Sequence, residues 1–118
     1  MDIETFRAYC LSRKGVTESF PFDAHTLVFK VMGKMFALCA LEKVPVFVNL
    51  KCDPDWALQL REAHDGRIYG AYHMSKTMWN SVEITQLPND LVLRLVDHSY
   101  ELVVKGLTKK LRTELEGL

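Results

Sequence analysis

The chain has 118 residues, of which 48% are hydrophobic and 25% charged, and its 15 lysines and arginines equal its 15 aspartates and glutamates in number. This length suits one domain with its own hydrophobic core, and no apolar run reaches the roughly 18 residues of a membrane-spanning helix. The balanced charge argues against a protein that coats nucleic acid through its overall charge, although a local basic patch is compatible with it.

The start of the chain and its cysteines indicate a cytoplasmic protein with no membrane partner. Residues 1–7 are acidic and amphipathic, unlike a secretory signal. Cys10, Cys39 and Cys52 cannot all pair, and none lies in a CxxC motif, so we expect reduced thiols. Cys10 falls on an apolar helix face and Cys39 inside an apolar strand, which predicts that both are small core residues.

The first predicted element is an amphipathic helix over residues 3–14. Asp2 before it is a good N-cap, and Gly15 after it can take the left-handed conformation that ends many helices. The apolar residues of this helix recur on one stripe, so we expect it to lie on the rest of the domain. Residues 15–25 are predicted to be a connector.

Three strands are predicted next, over residues 27–31, 35–41 and 44–50. The first two are joined at Gly33 and Lys34, where glycine in the first turn position is typical of a type II′ hairpin. The middle strand is apolar on both faces, which predicts a central position in the sheet. Short links between the three strands indicate an antiparallel meander.

A second helix is predicted to begin at Asp53 and Pro54, an N-cap followed by proline at the first helical position. Residues 67–77 show no regular pattern. Val82 and Ile84 alternate with polar residues, which predicts a further strand that is solvated on one face.

The longest helix is predicted over residues 90–105, where apolar residues keep the helical period until Gly106 ends it. Thr108 can cap a short final helix. The predicted order is therefore α-β-β-β-α-β(β)-α-α. This order indicates a single α+β domain over residues 1–118, with an antiparallel sheet of three meander strands and one or two more packed against helices.

The sequence carries no pattern that specifies a metal, a cofactor or an enzyme. The four histidines have no partner at i, i+4, and no cysteines stand at zinc-finger spacing. No phosphate-binding glycine loop or serine nucleophile motif is present. We therefore expect neither metal nor cofactor, and no catalysis.

Cys52 is the one candidate nucleophile. It lies one residue before a predicted helix N-cap, where the helix dipole favours a thiolate, and His73 would be its base if the fold brought the two together. The competing interpretation is a buried thiol at a strand end, which is the commoner role of a lone cysteine. A small-molecule site around Cys52, His73 and Trp79 stays open as an alternative.

Positive and aromatic side chains alternate in the second half of the chain and near the hairpin, a pattern that suits phosphate contact and base stacking. The residues that would form such a patch are Lys34, Lys51, Arg61, Tyr72, His73, Lys76 and Trp79. The alternative is a mixed, solvated surface on which Trp79 only anchors its loop. The pattern becomes a binding site only if folding gathers these residues.

Several short strings, spread over nearly the whole chain, form a specific set. They are FPF at 20–22, FKVMGKMFA at 29–37, LKCDP at 50–54 with LR at 60–61, GAYHMSK at 70–76 with WN at 79–80, LPND at 87–90 and SY at 99–100. Together they resemble the MmcQ/YjbR family of small bacterial proteins. The resemblance implies an α+β domain of secretion-chaperone-like architecture and a double-wing DNA-binding protein, with no enzyme activity and no cofactor.

These observations predict a monomeric, non-enzymatic, cytoplasmic module that binds nucleic acid, with DNA as its expected partner. The first alternative is a protein-interaction or chaperone-like module, which would bind a protein partner through an open sheet face or the long helix. The second is the small-molecule site around Cys52.

Overall fold

Within the residues that the computed structural model describes, 1–72 and 74–118, six antiparallel strands form one sheet. The strands are β1 Val16–Ser19, β2 Thr26–Val31, β3 Lys34–Ala40, β4 Val48–Lys51, β5 Ile68–Gly70 and β6 Trp79–Val82, and they lie in the order β1-β2-β3-β4-β6-β5. The helices in the same residues are α1 Ile3–Ser12, α2 Pro54–Ala63, α3 Asn89–Lys105 and α4 Lys109–Glu116. The predicted α+β class, an antiparallel sheet packed against helices, is confirmed.

The helices begin where their capping residues predict. The carboxylate of Asp2 accepts a hydrogen bond from the backbone N–H of Thr5 at 2.8 Å, and that of Asp53 accepts from Trp56 N–H at 3.1 Å. Pro54 occupies the first turn of α2, where its missing N–H costs nothing. Each cap satisfies a backbone donor that the helix itself leaves unpaired.

The long helix α3 lies on the sheet and closes the core. Its buried residues recur at helical spacing and face β2, β3 and β4; they are Val92, Leu95, Val96, Ser99, Tyr100 and Val103. The hydroxyl of Ser99 donates to the backbone oxygen of Phe36 at 2.5 Å and accepts from the backbone N–H of Lys51 at 2.9 Å. One buried side chain thus joins α3 to β3 and β4.

A β-bulge in β3 decides which side chains lie on each face of the sheet. Pairing passes from Phe29 with Ala37 to Lys30 with Met35, so Phe36 is an extra residue on its strand. Phe36 and Ala37 are consequently both buried on the helix side, and the Phe36 ring meets an aromatic ring of α3 edge-on. Beyond the bulge, Met35 lies on the face away from the helices.

The two faces of the sheet differ in what covers them. The inner face packs against the helices with a row of buried residues that pair across the strands: Leu27, Cys39, Val48, Val82 and Ile68. The outer face carries the row Val28, Leu38, Asn49, Ser81 and Tyr69. Val28, Leu38 and Ser81 are also buried, so loops cover part of this outer face.

Two predicted details of the sheet are wrong. The β2–β3 turn is formed by Met32 and Gly33 with φ of 50° and 81°, so both residues are left-handed and the turn is type I′ instead of type II′ at Gly33 and Lys34. The last strand ends at Val82, with Ile84 in a 3-10 turn, and it is buried on both faces. The prediction of a solvated face failed because Asn80 and Ser81 are polar but buried.

The structure also adds two short strands. β1 falls in the predicted connector and pairs antiparallel with β2, and β5 falls in the segment without a regular pattern and pairs with β6. The third meander strand, β4, begins at Val48, four residues later than predicted. Each of these short strands exists because its neighbour offers an unpaired edge, a long-range effect that local periodicity does not report.

Replacing Ser99 with alanine should lower the free energy of unfolding by about 1–3 kcal/mol, because the backbone groups of Phe36 and Lys51 would be left buried without partners. Urea denaturation monitored by circular dichroism measures the change. The matched control is Ser12→Ala, since the Ser12 hydroxyl bonds only an exposed carbonyl. Equal stabilities for the two variants would contradict the assigned role of Ser99.

Candidate nucleic-acid interface

The end of β4 and the start of β6 bring a lysine and a tryptophan together. Lys51 and Trp79 are direct cross-strand partners. Lys34, the first residue of β3, lines the same depression, which has a volume of about 260 Å³. Its other walls come from Met35 and from the C-terminal end of α3 at Leu102, Val103 and Gly106. Lys34 is exposed and Lys51 half-buried, so both ammonium groups are placed to reach a ligand there.

A second depression, of about 180 Å³, contains two more of the predicted cations. Arg61 of α2 and Lys76 line it with Thr77, Pro54 and Leu58. The Nζ of Lys76 lies 5.9 Å from the centre of the Tyr72 ring, a cation–π distance, and the Tyr72 side chain is 78% exposed. A charged group and an exposed aromatic ring therefore stand side by side.

Arg61 holds the segment between β5 and β6 in place. Its Nε donates to the Oδ1 of Asn80 at 2.7 Å, and its Nη2 donates to the backbone oxygens of Lys76 and Trp79. A Cβ on Gly70 would lie 3.5 Å from the Arg61 guanidinium carbon and 3.3 Å from the Lys76 side chain, which leaves little room for a larger residue. Arg61 is thus a structural anchor that keeps its charge.

The predicted cations are not neutralised by acids. Ion pairs within the described part of the chain are Arg7–Glu18, Arg13–Asp97 and His25–Glu42. None of them involves Lys34, Lys51, Arg61 or Lys76. Because every acceptor bonded to Arg61 is neutral, the positive charge of this region is available to an anion.

The structure therefore gathers most of the predicted site. Lys34, Lys51 and Trp79 surround one depression, and Arg61 and Lys76 line a second, beside Tyr72. The strands β4 and β6 connect the two groups through Trp79, whose backbone oxygen faces Arg61. The remaining predicted residue, His73, lies outside the described residues.

Asn80, a residue of β6 that binds the Arg61 side chain, was not identified from the sequence. Its side chain is 2% exposed, its Oδ1 accepts from Arg61, and its Nδ2 has no hydrogen-bond partner among the described residues. The available signal was an amide side chain within a short strand, because buried polar groups are nearly always hydrogen-bonded to another group.

The nucleophile hypothesis for Cys52 loses support. The side chain is 3% exposed, and burial, reinforced by the negative charge of Asp53, raises the pKa of the thiol to about 11. Cys52 does not line the depression that contains Trp79. His98 accepts the backbone N–H of Asp53 through Nε2, and burial lowers its pKa, so it acts as a neutral acceptor. The described residues include no group of three potential metal ligands.

These features define a small α+β protein whose antiparallel sheet carries cationic and aromatic side chains at one end. The model of the YjbR family matches residues 11–102, and the chain belongs to that family. No helix among the described residues is long and apolar enough to cross a membrane.

Relatives of known sequence or structure agree with this assignment. The uncharacterized protein YbdF of Escherichia coli is 38% identical over 91% of this chain and 88% of its own length, and the uncharacterized protein YjbR of Escherichia coli is 29% identical over the full length of both. The crystal structure of Deinococcus radiodurans protein DR2400, described as a DUF419 domain, has a TM-score of 0.88 at 38% identity, over 97% of this chain and 87% of that one. A Pseudomonas syringae protein shares the fold, with a TM-score of 0.74 at 24% identity over 86% of this chain and 98% of that one.

Replacing Arg61 with alanine should destabilise the protein by about 1–3 kcal/mol, because a buried amide oxygen and two carbonyls lose their donor. Urea denaturation provides the measurement. Arg112→Ala on the exposed side of α4 removes the same charge and side chain without these contacts and should change stability by less than about 0.5 kcal/mol. An Arg61 variant as stable as that control would refute the anchoring role.

Alkylation tests the state of the cysteines. With a pKa of about 11, roughly one Cys52 thiol in ten thousand is ionised at neutral pH, and all three thiols are buried. Iodoacetamide should therefore leave the native protein almost unmodified and label three sites in concentrated guanidinium chloride, as read by intact mass. Rapid labelling of native Cys52 would restore the nucleophile hypothesis.

Proposed function

We propose that this protein is a non-enzymatic nucleic-acid-binding module that holds the phosphate backbone of DNA on its cationic surface, the one formed by Lys34, Lys51, Arg61 and Lys76. One observation carries the proposal: these four cations border two depressions on either side of Trp79, and none forms an ion pair among the described residues. Affinity for nucleic acid rests chiefly on such phosphate contacts.

The overall charge does not contradict the proposal. The chain is neutral as a whole, with 15 basic and 15 acidic side chains. Arg7 is paired with Glu18 of β1 and Arg13 with Asp97 of α3, and neither arginine lines the two depressions of the cationic surface. A neutral protein with a local cationic surface is expected to bind nucleic acid weakly and with strong dependence on salt.

Aromatic side chains support a contact with bases or sugars next to the phosphates. Tyr72 is largely exposed beside Lys76, and the half-buried Trp79 is the cross-strand partner of Lys51 and accepts from Arg61 through its backbone oxygen. Rings placed among cations favour stacking on nucleic acids. The double-wing arrangement implied by the family resemblance, and the role of His73, stay predictions.

A protein-interaction module is the second candidate. It is favoured by a depression of about 490 Å³ near the β1 edge of the sheet, where Ile3, Phe20, Leu27 and Leu41 provide apolar walls. Its polar walls include the ion pair Arg7–Glu18. Phe20 and Leu41 are 49% and 40% exposed. The long helix offers no such surface, because its apolar stripe packs on the sheet. This depression contains none of the four cations, so substitutions on the cationic surface distinguish the two functions.

The double substitution Lys34→Gln with Lys51→Gln should weaken DNA binding about tenfold and lower the slope of log affinity against log salt by about 1 per lysine, because each lysine neutralises a phosphate. Fluorescence anisotropy of a labelled oligonucleotide, titrated at several salt concentrations, measures both quantities.

The matched control is Lys109→Gln with Lys110→Gln, which removes the same charge from the exposed surface of α4. It should leave the affinity nearly unchanged. An affinity that does not change with salt concentration, or that falls equally in both double variants, would rule out the cationic surface as the DNA site.

A further inference from the structure

A concave site on the outer face of the sheet adjoins the cationic surface. It has a volume of about 410 Å³, within the range of small-molecule pockets. Its walls are mainly apolar: Phe22, Met35, Leu38, Ala40, Phe47 and Met74. Asn49, Thr26, Asp23 and Lys43 provide its polar groups. We call it the outer pocket.

The Phe22 ring forms an exposed wall of the outer pocket. It is 66% exposed and makes none of the ring contacts found within the described part of the chain. Met35 and Met74 are flexible thioethers that adapt to a flat ligand. An open aromatic ring on the wall of a concave apolar site is suited to stacking, so the wall favours a planar occupant.

Asn49 provides an unused donor inside the outer pocket. Its Oδ1 accepts a hydrogen bond from the Ser81 hydroxyl at 2.8 Å, and this bond orients the amide. The Nδ2 group of Asn49 has no partner among the described residues and is half-buried. A ligand that enters the pocket is therefore best matched by a carbonyl acceptor on a flat ring.

The outer pocket opens toward the lysines. Met35 lines both the outer pocket and the depression of Lys34 and Lys51. Asn49 and Lys51 alternate on β4, so they project from the same face, with Cα atoms about 6.6 Å apart. That spacing is comparable to the separation of a base from the phosphate of its own nucleotide.

The opposite end of the outer pocket repels phosphate. Asp23 lies there, and the hydrogen bond from the His25 N–H, the largest influence, lowers the pKa of its carboxyl, so it is charged at neutral pH. Glu42 and Lys43 lie at the adjoining rim. Lys43 also lies at this end, but Asp23 and Glu42 outnumber it, whereas no acid among the described residues lines the depression of Lys34 and Lys51, so a phosphate is favoured on the Lys51 side.

We propose that the outer pocket binds an unstacked base of a single-stranded nucleic acid, stacked on Phe22 with a base carbonyl on the Asn49 amide, while Lys51 and Lys34 hold the adjacent phosphates. This inference rests on the proposed function, since it uses the same lysines. It adds a preference for single strands, because a base inside a duplex cannot reach the pocket without unpairing and unstacking.

The unmodified protein tests the proposal with two oligonucleotides of equal length. Oligothymidylate and a strand of abasic residues carry the same phosphates, and only the first has bases. We expect the oligothymidylate to bind about tenfold more tightly in fluorescence anisotropy. It should also shift the Asn49 side-chain amide signals in an NMR spectrum. Equal affinities, or unshifted Asn49 signals, would overturn the base pocket.

Two phenylalanines that lie two residues apart offer a matched pair of variants. Phe22→Ala should weaken binding of the single strand about tenfold and leave a duplex of the same sequence unaffected. Phe20→Ala should change neither, because Phe20 lines a different depression. The same titration with an RNA strand of equal length compares the two nucleic acids. The tighter binder identifies the preferred one, and tight binding of either single strand supports the pocket.

The outcomes separate this inference from the proposed function. If the Lys34 and Lys51 substitutions weaken binding but Phe22→Ala does not, or if the duplex binds as tightly as the single strand, the cationic surface stands and the base pocket fails. If no nucleic acid binds at low salt, both fail.

Discussion

A single buried hydroxyl, that of Ser99, joins α3 to the two strands that carry Lys34 and Lys51. The ladder between β3 and β4 ends at the pair Ala37–Leu50, next to the bulge residue Phe36, and Ser99 joins the two strands beyond it by donating to Phe36 and accepting from Lys51. Buried backbone groups are costly when they lack partners, and Ser99 of α3 supplies the partner at this point. The bridge fixes Lys51 next to the end of α3, and the bulge turns Met35 to the outer face. Both the lysine depression and the outer pocket follow from that arrangement.

Arg61 has the corresponding role on the other side of Trp79. A half-buried guanidinium normally pairs with a carboxylate, yet here its partners are an amide and two carbonyls. Such partners satisfy its hydrogens without cancelling its charge. Lys76 and the start of β6 are therefore held by a group that also attracts anions. A substitution of Arg61 would therefore change stability as well as charge. The side chains of Lys34 and Lys51 make no comparable contacts among the described residues, so their substitution tests the proposed function more directly.

Local signals predicted the parts of the fold that depend on neighbours in the sequence. Asp2 and Asp53 cap the helices as expected, Gly106 follows the last residue of α3, and Cys10 and Cys39 are buried. Local sequence patterns failed to predict secondary structure where pairing with a distant segment determines it. β1 and β5 form only because β2 and β6 offer edges, and the type I′ turn places Met32 at positive φ to match the twist of the two strands. The candidate residues could be named from their chemistry. They lie up to 45 positions apart in the sequence, and that separation does not tell how close they are in the folded protein.

The sequence by itself determined the α+β class, the helix starts, the apolar stripe of α3 and the YjbR resemblance, because capping and periodicity are properties of adjacent residues. Only the tertiary structure decided that Lys34, Lys51 and Trp79 share one depression, that Arg61 binds neutral acceptors, and that Cys52 is buried. The physical reason is that strand pairing and the bulge set side-chain positions through contacts between segments far apart in the chain. A one-residue shift in register would send the same side chains to the opposite face.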